Sequence, residues 1–121
     1  WRLVYLFSWL FIAVYRILAP ILKCTRHLNN EDYIFEMKSI TPTNIRNQMR
    51  RGMGQLYEYR YLQNLPQAQL VLVLETPLPS VLTWMLDFFE IDRQIKIIWD
   101  GNDELHANPK TRDELSFLWA Q

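Results

Sequence analysis

The run QLVLVLE at residues 69–75 constrains the fold most. Its five consecutive aliphatic residues leave no polar face, so it reads as a central strand covered on both sides, as in layered α/β sheets. Pro77 and Pro79 end it. Ser80 is then a good N-cap for SVLTWMLDFFE, where Val81, Trp84, Met85, Phe88 and Phe89 recur at helical spacing and Thr83, Asp87 and Glu90 fall outside. Ile95 to Trp99 (IKIIW) is the next strand, closed by a turn at Asp100-Gly101. Strand, helix and strand in that order make a βαβ crossover between parallel strands.

Upstream, residues 21–27 (ILKCTRH) and 33–40 (YIFEMKSI) read as two strands, and the turn cluster Asn29-Asn30-Glu31-Asp32 makes them a hairpin. Thr41-Pro42-Thr43 stops the second strand, and Thr43 or Asn44 can cap a helix running from about Ile45 to Leu62. A short helix from Arg112 to Trp119 follows Asn108-Pro109. The expected order is helix, hairpin, helix, strand, helix, strand, helix: a mixed α/β sheet flanked by helices, occupying residues 21–121.

Residues 1–20 are expected to form an apolar helix. The apolar stretch 3–22 approaches the length of a membrane span, but Arg16 and Pro20 interrupt it and its unbroken part makes a helix of only about 20 Å. A buried core helix is the reading adopted; a membrane anchor, or a segment foreign to the domain behind it, are the alternatives. The length of 121 residues suits one domain, and 13 basic residues balance 13 acidic ones, so wholesale electrostatic capture of nucleic acid is not expected. A lone Cys24, with only His27 and His106, excludes an intrachain disulfide and a Cys/His zinc cluster, and points to a reducing, cytoplasmic setting.

Chemistry concentrates in Glu36-Met37-Lys38. Strand alternation puts Glu36 and Lys38 on one face and Met37 on the other. In the following helix Asn44, Gln48, Arg51, Gln55 and Tyr59 fall at spacings of four, three, four and four, one stripe along its length. Gly52 and Gly54 each cost about 1 kcal/mol relative to Ala in a helix, which suggests close approach of sheet or ligand. Arg46, Arg50, Arg51 and Arg60 give the helix a local positive charge.

A Glu-x-Lys strand followed by a Gln-hydrophobic-x-x-Tyr helix (Gln55-Leu56-Tyr57-Glu58-Tyr59) resembles the PD-(D/E)XK nuclease superfamily, in its RecB-like branch, over about residues 21–100. The resemblance implies a restriction-endonuclease-like fold and hydrolysis of DNA phosphodiesters with Mg²⁺ or Mn²⁺, in defence or repair. It implies that Glu36 and the Met37 carbonyl bind the metal, and that Lys38 orients the attacking water or neutralises the transition state. Gln55 and Tyr59 would complete the catalytic set. Asn44, Arg46, Gln48, Arg50 and Arg51 would contact DNA, with a homodimer as one way to read paired half-sites.

The family also places an Asp on the first hairpin strand, and residues 16–26 (RILAPILKCTR) contain no acidic residue. Three readings stay open: a non-catalytic binding or assembly domain, an Asp-bearing segment absent from the chain, or Asp32 in that role. A membrane-anchored accessory protein is a further alternative, resting on residues 3–22 alone. Asp87, Glu90 and Asp92 are expected to be solvated and His106 to lie at the surface. No Gly-x-Ser-x-Gly elbow or Gly-rich phosphate loop is present.

Overall fold

The computed structural model describes residues 31–119 in full and 23–28 as backbone; the apolar segment 3–22, with the helix expected over 1–20, lies outside the described residues. Five strands form one mixed sheet in the order β1-β2-β3-β4-β5. They are β1 (Lys23–Leu28), β2 (Glu31–Lys38), β3 (Gln69–Leu74), β4 (Ile95–Gly101) and β5 (Glu104–Ala107). The three central strands are parallel, and the two edge strands pair antiparallel to their neighbours. Helix α1 (Ile45–Leu62) joins β2 to β3. A helical segment joins β3 to β4: a 3₁₀ turn (Ser80–Leu82), the short α2 (Trp84–Asp87) and a π turn (Phe88–Asp92). After β5 come α3 (Pro109–Glu114) and a 3₁₀ turn (Ser116–Leu118). The mixed α/β sheet flanked by helices is therefore the observed architecture.

Both crossovers advance the same way across the sheet, so right-handed connections lay them on one face. There Ile45, Met49, Leu56 and Tyr59 of α1, with Met85 and Phe89, cover Ile34, Leu70, Leu72, Leu74, Ile95 and Ile97. The two helical segments lie alongside one another: Arg46 sits over the Trp84 ring at one end, and the Tyr57 hydroxyl donates to the Arg93 carbonyl at 2.7 Å at the other. The opposite face buries Tyr33, Phe35, Met37, Val71, Val73 and Ile98 with Leu115 and Leu118 from the C-terminal segment. Alternation of side chains along the strands separates these two cores cleanly.

Helix α1 has the expected bounds because its end is encoded locally. Asn64 takes a left-handed φ of 55°, its N–H donates to Tyr61 O, and Leu65 N–H reaches back to Arg60 O, the paired bonds of a Schellman cap. At the other end Asn44 is the N-cap residue but makes no side-chain cap bond; its Oδ1 accepts from Thr41 N–H instead, closing the turn out of β2.

Three expectations are corrected. β2 starts at Glu31, so Glu31 and Asp32 belong to the strand and not to the turn. The 80–92 segment is not one regular helix: its 3₁₀ and π turns rotate the apolar stripe, so Met85 and Phe89 are buried while Val81 is 79% and Trp84 49% exposed. The chain turns at Asn102-Asp103, not Asp100-Gly101. Positive φ at both central residues makes a two-residue hairpin there, and it leads into β5, a strand with no clear signal in the sequence.

Candidate functional site

Glu36 lies deep in the sheet. Register places Lys23, Glu36, Leu72 and Ile97 side by side across β1 to β4, so a carboxylate occupies a row whose central members are wholly buried. Glu36 is itself only 1% exposed. Lys38, two residues on and on the same face, brings its Nζ to 3.3 Å from Glu36 Oε1. Met37 packs in the opposite core, as alternation predicts. Met37 and Glu36 therefore point their side chains to different sides of the sheet.

Helix α1 closes over this pair. A Cβ on Gly52 would stand 2.6 Å from Leu72 Cδ1 and 3.5 Å from Lys38 Cγ, so the glycine lets the helix settle against the sheet beside Lys38. From Lys38 back to Glu36 the strand covers ~6.7 Å, the rise of about 4–5 helical residues, which puts positions 55 to 59 level with Glu36. Tyr59 is buried there, and its pKa is raised, first by burial and then by the Glu36 and Glu58 charges. Gln55 Oε1 is also buried and has no hydrogen-bond partner among the described residues. Glu36, Lys38, Gln55 and Tyr59 are thus brought to one interface between β2 and α1.

The expected polar stripe of α1 is displaced by one position. Ile45, Met49, Gly52, Leu56 and Tyr59 face the sheet, so Asn44, Gln48, Arg51 and Gln55 flank the buried stripe and only Tyr59 belongs to both. Gln48 Nε2 donates to Ser39 O at 2.9 Å and, like Asn44, ties down the connection between β2 and α1. Arg50 and Arg51 are exposed, and the Arg46 guanidinium lies 5.8 Å from the Trp84 ring centroid.

A Mg²⁺ site needs several hard oxygen ligands in near-octahedral geometry. None of the β1 residues (KCTRHL) is acidic, and β3 opposite Glu36 offers Leu72. Asp32 is on the strand of Glu36 but four residues away, ~13 Å along it. Asp100, the other buried strand carboxylate, alternates with Ile98 onto the far face, so the sheet stands between it and Glu36. No group of three or more His, Cys, Asp or Glu among the described residues could hold a metal. The described residues do not fit the two-carboxylate metal centre that the family resemblance implies.

A second polar region has a weaker signature in the sequence. Glu90, expected to be solvated, is partly buried; Thr111 Oγ1 donates to its Oε2 at 2.9 Å, and desolvation raises its pKa against the lowering effect of that bond. It borders a 920 Å³ cleft at the N-terminal ends of the parallel strands. There Lys96 Nζ meets Gln69 Oε1 at 2.7 Å and Glu114 Oε2 at 3.0 Å. The Tyr33 hydroxyl donates to Glu31, and its pKa is pushed up to about 12, mainly by burial. Lys96, a charge inside the apolar run IKIIW, is the one sequence signal for this region. His106 is half-buried, stacked against Trp99 and bonded to Gly101 O.

Comparison with protein-family models, curated proteins and solved structures finds no match for the chain. Among the described residues no helix is long and apolar enough to cross a membrane.

Proposed function

We propose that this chain is a nuclease-fold domain of the PD-(D/E)XK type, RecB-like branch, that binds the DNA backbone and does not complete a hydrolytic centre from its described residues. The observation that carries the reading is the Glu36–Lys38 pair, buried in an apolar row beneath the Gln55 to Tyr59 stretch of α1. Burying an ion pair is costly, and apolar residues of similar volume often serve packing as well or better. A polar pair retained there, with a buried amide oxygen at the same level, accords with a site and not with core construction. The hairpin, helix, strand, helix, strand order supports the fold assignment, and the exposed Arg50 and Arg51 support contact with phosphates. The single Cys24 accords with a cytoplasmic setting.

A second reading, metal-dependent hydrolysis of DNA, is favoured by the same pair if a further carboxylate reaches Glu36 from outside the described residues. Backbone binding is tested by titrating duplex DNA with the purified chain over a range of salt. The affinity should fall as salt rises, and replacing Arg46, Arg50 and Arg51 together by Ala should flatten that dependence. Salt-insensitive binding, or none at low salt, would remove the DNA reading.

A further inference from the structure

Trp84 is half exposed at the start of α2, where a large aromatic would ordinarily be buried. Phe88 braces it, ring centroids 6.2 Å apart and planes inclined by 31°, and Arg46 of α1 holds its guanidinium over the indole. The α1 side of this ring is basic. Residues 39–57, which include most of α1, carry Arg46, Arg50 and Arg51 and no Asp or Glu, in a chain with 13 acidic residues, whereas Asp87 lies one turn from Trp84 in α2. Arg46 and Arg50 are one helical turn apart, on the same flank of α1.

We infer that Trp84, Arg46 and Arg50 form a docking strip for single-stranded nucleic acid, in which a base stacks on the indole while Arg46 and Arg50 hold the adjacent phosphates. The inference rests on the backbone-binding reading above and adds the strand state. Single-strand binders combine a positive track with aromatic platforms, because every base has a π face whatever its sequence. An apolar protein partner would find only Trp84 and Val81 as exposed large apolar side chains here, with the Arg46 guanidinium over the indole resisting desolvation. Arg46 is placed to exchange one contact for another: when a base takes the ring face, the guanidinium moves to the phosphate beside it.

The test compares fluorescence anisotropy of three labelled probes of about 12 nucleotides, within the usual span of such sites: a dA strand, an abasic strand with the same phosphates, and a duplex. Each is titrated with the full chain and with Trp84→Ala, Trp84→Phe and Arg46→Ala variants, whose folding is checked by circular dichroism. The dA strand should bind on the order of 10-fold or more tighter than the abasic strand. Trp84→Ala should erase that difference, and Trp84→Phe should keep most of it. Arg46→Ala should weaken both single strands and lower the salt slope by about 0.7. Equal affinity for dA and abasic strands, a preference for the duplex, or a Trp84→Ala variant that binds dA like the parent would overturn the strip and leave backbone binding standing. Failure of all three probes to bind at low salt would overturn backbone binding itself, and the strip with it.

Discussion

A Cβ on Gly52 would stand 2.6 Å from Leu72 Cδ1, and Leu72 is fully buried in the row that contains Glu36. Gly54, two residues on, has open space where its Cβ would stand, with nothing within 4 Å. The two helical glycines therefore respond oppositely to alanine. Gly52→Ala gains about 1 kcal/mol of helix propensity but forces the fully buried Leu72 methyl to shift and overpacks the core by about 1–3 kcal/mol, for a net loss of up to about 2 kcal/mol. Gly54→Ala should stabilise by up to about 1 kcal/mol. Chemical denaturation of both variants checks the signs, and Leu72→Val combined with Gly52→Ala should recover part of the loss.

Lys38 and Glu36 should behave as a coupled buried pair. Lys38→Met removes the ammonium beside the carboxylate and should destabilise the fold, by less than the loss of an isolated buried pair because Lys38 keeps some exposure. The double variant Glu36→Leu with Lys38→Met should cost less than Lys38→Met alone. A double-mutant cycle by urea unfolding measures the coupling, and additive losses would mean that the pair contributes no mutual stabilisation.

Glu90 sets a pH dependence of stability. Its folded pKa is raised above the ordinary 4.5, chiefly by desolvation, so the native state binds the proton more tightly than the unfolded chain does. Stability then falls as pH rises from about 4.5 through the folded pKa, and the loss is complete above it. Glu90→Gln keeps an acceptor for Thr111 and removes the charge, so its melting temperature should vary less over that window. An unchanged pH profile in the variant would assign the dependence to other groups.

The sequence disclosed β1 to β4 and α1 because each carried local signals: the aliphatic run at 69–75, the alternation around Glu36, and the Thr41-Pro42-Thr43 stop with Asn44 before α1. It did not disclose β5, since Gly101 resembles turn chemistry while serving in the strand, where a Cβ would press to 3.1 Å from the His106 ring. The 80–92 segment misled for a related reason: periodicity assumes a constant 3.6 residues per turn, and the 3₁₀ and π turns break it. At the site, alternation placed Glu36 and Lys38 correctly. The burial of Glu90 was hidden because it depends on Thr111, which only the tertiary fold brings near.

The most direct test of the proposed function is to incubate end-labelled linear DNA with the purified chain in Mg²⁺ or Mn²⁺ and resolve both complex and product lengths on gels, beside Glu36→Ala and Lys38→Ala. A salt-sensitive complex and intact DNA are expected in all three samples, since Glu36 has no second carboxylate opposite it on β1 or β3. Cleavage by the parent chain that both substitutions abolish would contradict that expectation and establish a complete metal-dependent centre at Glu36.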